Sequence, residues 1–223
     1  MDLDVPTTLG SGRLVVDWAD EPRAVLWLGH GAGGGIDAAD LAALAAALPS
    51  FGITVVRYEQ PWRVAGRKLA PRPAALDMGW MEAVSHVAEI AAGLPLIVGG
   101  RSAGARVACR TADAVGAVAV VCLAFPLHPP GKPEKSRIDE LLQPVVPVLV
   151  VQGERDNFGS SDDVRAAIRV APVRSIRVTS VPGADHSMAV LKSSPLDAVA
   201  VARLVVECVH SFIDEVVANG PAG

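Results

Sequence analysis

The sequence predicts an α/β protein, a mostly parallel central sheet with helices on both faces arranged as a three-layer sandwich. Three observations carry this. Strand-like apolar runs alternate along the chain with segments of helical periodicity, the pattern of β-α units. Several runs, 116–125 above all, are continuously apolar, as expected of strands buried on both faces. The composition is 51% hydrophobic over 223 residues, enough for one large core.

The elements follow in order. Segments 13–18 and 23–28 read as two early strands separated by an Asp-Glu-Pro turn, and 37–48 as an alanine-rich helix ending before Pro49. Segment 53–58 is β-branched and strand-like, 61–73 is a loop rich in proline and basic residues, and 76–92 has helical periodicity up to Gly93. Segment 94–99 is a strand and 102–112 the helix after it; 116–125 is a buried strand leading into a proline-rich loop, 126–133. Later strands are expected at 145–152 and 174–181, with a helix at 161–170 between them and a long amphipathic helix at 195–217. There is no internal repeat, and the expectation is a single domain over 1–223.

Composition excludes several classes. A formal net charge of −4 gives no global basic field to recruit nucleic acid. The apolar runs are shorter than the ~18 residues a bilayer-spanning helix requires. Met1-Asp2-Leu3-Asp4-Val5-Pro6 is acidic and lacks the regions of a signal peptide. Cys109, Cys122 and Cys208 are odd in number, have no paired spacing and lie in apolar segments, so buried free thiols are expected in place of a disulfide or zinc site. The sum points to a cytoplasmic protein without membrane or nucleic-acid partners; no oligomeric state is specified.

The chemistry is concentrated in three loops. Gly100-Arg101-Ser102-Ala103-Gly104 fits G-x-S-x-G between a strand and a helix, a sharp turn that holds a serine clear of the sheet. A serine so placed is a candidate nucleophile if a base and an orienting acid reach it. Gln152-Gly153-Glu154-Arg155-Asp156 follows a later strand, and Gly183-Ala184-Asp185-His186-Ser187 follows the next. The order Ser102, Asp156, His186 is that of an α/β-hydrolase triad, and all three sit after strands, at one edge of the expected sheet. His186 would take the serine proton and return it to the leaving group, while Asp156 would fix the imidazole tautomer. Asp185, adjacent to the base, is a poor substitute, since it points away. Upstream, Gly29-His30-Gly31-Ala32-Gly33-Gly34-Gly35 is a small-residue loop after a strand. The N–H of Ala32, with Gly33 next in line, and that of Ala103 are the expected oxyanion donors.

Other residues have blander readings. Gly33, Arg101 and His128 are candidate substrate contacts. His30 is expected to brace its loop by hydrogen bonding, and His86 and His210 to be structural or exposed. Arg57, Arg63, Arg67, Lys68 and Arg72 face one acid, Glu59, and read as a solvated loop before they read as a rim for anionic substrates. Trp62 and Trp80 are expected in the core.

With these motifs the chain resembles the α/β-hydrolase superfamily over most of its length. It is similar to the small lidless, dienelactone-hydrolase-like group and the related testis-expressed hydrolase-like family. Phe125-Pro126-Leu127-His128-Pro129-Pro130-Gly131-Lys132-Pro133 is the most branch-specific block. The resemblance implies an α/β-hydrolase fold with no large cap domain, since the connection 126–144 is too short for one. It implies little about the substrate; the triad and the short connection point to a serine carboxylester hydrolase acting on small esters or thioesters, with no metal or organic cofactor. Dienelactone hydrolases proper use cysteine, and Ser102 here turns the expectation to ordinary esters or thioesters. Two rival readings remain. Gly29-x-Gly31-x-x-Gly34 with Glu59 matches a dinucleotide-binding fingerprint of an oxidoreductase, and a hydrolase fold can serve as a catalytically silent interaction scaffold.

Overall fold

The structure, a computed structural model, describes residues 1–169 and 175–219. Its frame is an eight-stranded sheet: β1 (Asp2–Thr7), β2 (Gly10–Asp17), β3 (Ala24–Gly29), β4 (Ile53–Glu59), β5 (Leu96–Arg101), β6 (Ala119–Leu123), β7 (Val148–Gly153) and β8 (Ile176–Val181). The spatial order is β1-β2-β4-β3-β5-β6-β7-β8. β1 and β2 run antiparallel, as do β2 and β4; every other neighbouring pair is parallel. The helices are α1 (Ala39–Ala47), α2 (Pro61–Val64), α3 (Pro73–Met81), α4 (Val84–Ala91), α5 (Ala103–Thr111), α6 (Ile138–Leu141), α7 (Ser161–Arg169) and α8 (Ala198–Ala218).

The period-2 geometry of strands sorts the core into two layers. On β3, Val25 and Trp27 face one way and Leu26 and Leu28 the other. The first layer packs the sheet against α3, α4, α5 and α7 through Leu76, Trp80, Val87, Ala105, Ala108 and Val164. The second packs it against α1 and α8 through Leu41, Leu44, Val205, Val209, Phe212 and Ile213. Strands β3, β6 and β7 are buried at every position, which is why they read as unbroken apolar runs.

Four local departures from the sequence reading have physical causes. β1 was not expected: as an edge strand it buries only Val5, so its acidic sequence carries no apolar pattern, and Pro6 is tolerated there. The helix expected over 76–92 is two, broken at Glu82–Ala83. Leu76, Trp80, Ala83, Val87 and Ala91 all pack into the core, so helical spacing runs straight through the break. At the break the Glu82 carboxylate accepts the Thr8 N–H at 2.6 Å and the Thr8 hydroxyl at 2.5 Å, tying it to the β1–β2 turn. Within the expected loop 61–73, Pro61–Val64 winds into one helical turn that buries Trp62. The last helix starts later than expected, where Asp197 caps it by accepting the Ala200 N–H at 2.8 Å. Val170 and Arg174, the end of one expected helix and the start of one expected strand, lie outside the described residues.

Between β6 and β7 the chain forms only the single turn α6, so no cap domain covers the carboxyl edge of the sheet. Among the described residues, no helix is long and apolar enough to cross a membrane. Cys109 and Cys122 are buried, with their sulfurs 3.4 Å apart, while Cys208 is half-buried; all three are free thiols.

Candidate active site

The loops after β3, β5, β7 and β8 emerge at the same edge of the sheet, because those strands are mutually parallel. Ser102 sits between β5 and α5 with φ 53° and ψ −109°, a left-handed conformation that a non-glycine residue adopts at a cost of about 1–3 kcal/mol. The turn needs close backbone approach. A Cβ on Gly104 would fall on the Gly29 carbonyl, and one on Gly100 would lie 2.8 Å from the Gly104 carbonyl carbon. The small residues two positions either side of Ser102 thus let α5 start directly against the end of β3.

The structure brings Ser102, His186 and Asp156 together. The Ser102 hydroxyl lies 3.0 Å from His186 Nε2, and His186 Nδ1 lies 2.8 Å from Asp156 Oδ2. The carboxylate only accepts, so the imidazole carries its proton on Nδ1 and presents Nε2 as the acceptor for the serine. The Asp156 side chain is 0% exposed and that of His186 20%, so the pair is shielded on one side and open on the other. Asp156 also accepts the Phe158 N–H at 2.8 Å and a Gln152 amide N–H at 3.0 Å. Gln152 in turn donates to the Gly159 carbonyl at 2.7 Å, which fixes the loop around the acid.

Several supporting residues left no signal in the sequence reading. Gln152 reads as the end of a strand, and Phe158, whose ring stacks on His186 with centroids 4.1 Å apart, reads as an ordinary loop residue. Gly153 allows the histidine loop to pack on the aspartate loop, since a Cβ there would lie 2.9 Å from the Asp185 carbonyl oxygen. Asp185 does not face the base. Its carboxylate accepts the N–H groups of Ser187 and Ala189 at 2.7 and 3.1 Å and shapes the turn that presents His186.

The loop 29–35 stands against the serine: a Cβ on Gly31 would lie 3.5 Å from Ser102 Cβ. Among the described residues, the N–H groups of Ala32, Gly33 and Ala103 have no hydrogen-bond partner. Ala103 is the first residue of α5, so its N–H lies in the unpaired first turn of a helix. His30 braces the loop. Its Nδ1–H donates to the Gly31 carbonyl at 2.9 Å and its Nε2 accepts the Gln60 N–H at 3.1 Å. Burial lowers its pKa, which keeps the ring neutral.

The remaining candidates divide. Gly33 borders open space, and His128 is half-buried, with its N–H on the Phe158 carbonyl at 3.0 Å. Arg101, a candidate substrate contact in the sequence, is turned away from that role. Its guanidinium donates to the His186 backbone carbonyl at 2.5 Å and to Asp40 at 3.4 Å. Arg63, Arg67, Lys68 and Arg72 are exposed, whereas Arg57 pairs with Asp17 at 3.2 Å. Trp80 stacks on Trp27 with centroids 3.5 Å apart. With Trp62, Ala70, Leu76 and Val107 it walls a small, mostly apolar cleft beside Ala103. Among the described residues, no group of three or more His, Cys, Asp or Glu side chains is placed to hold a metal ion.

A sheet of this order, with a serine elbow and an uncapped carboxyl edge, is the lidless form of the α/β-hydrolase fold. Residues 22–214 match the alpha/beta hydrolase domain family, and the chain belongs to it. Solved structures agree in fold. The chain is similar to an alpha-beta serine hydrolase homologue from Coxiella burnetii (17% identity, TM-score 0.75, covering 93% of this chain and 96% of that one). It is also similar to an a/b serine hydrolase without lid from Xanthomonas campestris (18% identity, TM-score 0.74, 95% and 94%). A dienelactone hydrolase from Anabaena variabilis aligns at 18% identity and TM-score 0.69, covering 93% and 95%.

Proposed function

We propose that this protein is a serine hydrolase that cleaves small carboxylic esters or thioesters through an acyl-enzyme. The observation that carries the reading is the unbroken hydrogen-bond chain from the Ser102 hydroxyl through His186 to Asp156. In it, His186 Nε2 takes the hydroxyl proton as Ser102 Oγ attacks the acyl carbonyl carbon, and the imidazolium that forms is stabilised by Asp156. The N–H groups of Ala103 and Ala32 hold the oxyanion; one such donor is worth about 2.7–4 kcal/mol in the transition state. His186 then protonates the departing alcohol or thiol, and water repeats the sequence to free the acid. No residue in this scheme calls for a metal or organic cofactor.

The open carboxyl edge of the sheet supports small, soluble substrates. The cleft beside Ala103 is narrow and apolar, and nothing in the connection between β6 and β7 folds over it. The glycine loop, which fits a dinucleotide fingerprint in sequence, lies against Ser102, and Glu59 is engaged by Arg13 at 2.8 Å. That geometry favours the oxyanion role of the loop over ribose binding.

The test is intact-mass labelling with a fluorophosphonate, wild type against Ser102→Ala. A single adduct on wild type, absent from a variant of unchanged melting temperature, is the expected result, followed by turnover of short-chain p-nitrophenyl esters and acyl thioesters. Folded wild-type protein that takes no adduct would overturn the reading and favour a silent scaffold. Activity confined to long-chain insoluble lipids would overturn the small-substrate part alone.

A further inference from the structure

Arg101 occupies the variable position just before the serine, where the elbow itself demands nothing of the side chain. Its neighbours are nonetheless specific. One arm of the guanidinium donates to the backbone carbonyl of His186 at 2.5 Å, across 85 positions of sequence. The other lies 3.4 Å from Asp40 Oδ2, with side-chain exposures of 12% for Arg101 and 2% for Asp40. Asp40 is held in its turn, its other oxygen accepting the Leu41 N–H at 2.9 Å in the first turn of α1. A buried carboxylate, a planar two-armed donor and the histidine backbone thus form one connected unit between α1, the serine elbow and the histidine loop. A guanidinium suits this because its donors sit in a rigid fork, which a lysine cannot reproduce.

The histidine loop has few other ties to the elbow side. Its turn is closed internally by Asp185, and it rests on the aspartate loop through the Arg155 N–H to the Ala184 carbonyl at 2.9 Å. Those contacts set the loop against Asp156. The Arg101 bond sets it against Ser102, because Arg101 and Ser102 are consecutive residues.

We propose that Arg101, anchored by Asp40, is a positioning residue that holds His186 in line with the Ser102 hydroxyl. The proposal rests on the serine-hydrolase reading. Small misplacements of a catalytic group cost about 100-fold in rate, so loss of the fork is expected to appear in the rate constant and not in binding.

The experiment is fluorophosphonate labelling followed by intact mass, with the saturating rate constant separated from the half-saturating concentration. Arg101→Ala should lower the rate constant by up to about 100-fold at an unchanged half-saturating concentration, and Arg101→Lys by less. Methylguanidinium added to Arg101→Ala should restore part of the rate while leaving wild type unaffected. Since Arg101→Ala strands a buried carboxylate, the Arg101→Ala, Asp40→Asn double variant, in which neither charge of the pair remains, is compared with wild type as well. Arg110→Ala, which breaks the ion pairs to Asp77 and Glu140 from α5, should cost stability without changing labelling. Wild-type labelling kinetics in folded Arg101 variants would overturn the positioning role and leave the hydrolase reading intact. Wild-type protein that takes no label would overturn both.

Discussion

Ser102, His186 and Asp156 come from three loops, and each is recognisable in sequence because its loop follows a strand. What surrounds them is not. Asp156 is held by Gln152 and the Phe158 N–H as well as by His186, so the acid is locked before the histidine meets it. Asp156→Asn keeps the shape but turns an acceptor into a group that also donates. It should cut the rate of p-nitrophenyl acetate hydrolysis by about 10⁴-fold by favouring the wrong imidazole tautomer. A loss under about tenfold would mean that another group orients His186. Arg101 illustrates what a sequence alone lacks: beside a nucleophile it reads as a candidate substrate contact, and only its partners show that it grips the chain itself.

At the scale of elements, helical spacing was legible and helix ends were not. The α3–α4 break is silent because the buried positions keep one period across it, and the Asp197 cap starts α8 at Ala198, past the expected 195. Helix α5, which carries the elbow, is tied outward by ion pairs that join it to α6 and α3: Arg106 to Glu140 at 2.6 Å and Arg110 to Glu140 and Asp77 at 2.5 and 2.6 Å. Burial pushes the Glu140 carboxyl up, but the two guanidiniums outweigh it and leave its pKa below the ordinary value of 4.5. A carboxyl whose folded pKa is depressed adds stability above the unfolded value and loses it as pH falls through the folded one. The stability gap between wild type and Glu140→Gln should therefore be full near about pH 6 and shrink below about pH 4.5. Thermal melts across that range decide it, and parallel curves would contradict the coupling.

The whole molecule is two apolar layers sharing one sheet. Leu44, fully buried on α1, belongs to the layer away from α3–α5, and α1 also carries Asp40. Leu44→Ala should cost about 2–5 kcal/mol, lowering the melting temperature by roughly 4–20 °C for a chain of this size. If the chain is a single domain, as its length suggests, calorimetry should show one lowered transition. Two transitions, only one of them shifted, would show that the layers unfold independently. The absence of a cap was readable at this scale, since the proline-rich connection after β6 is too short to fold over the site.

The sequence by itself determined the parallel α/β plan, the chain order of serine, acid and histidine, and the loops that carry them. Those properties are local: periodicity, turn residues and buried apolar runs act over a few positions. Tertiary structure alone decided that the Ser102 hydroxyl reaches an imidazole 84 residues away, that Arg101 turns inward, that Asp185 shapes a turn and that 76–92 breaks. These depend on distances between segments remote in the chain, which packing sets and local pattern does not encode.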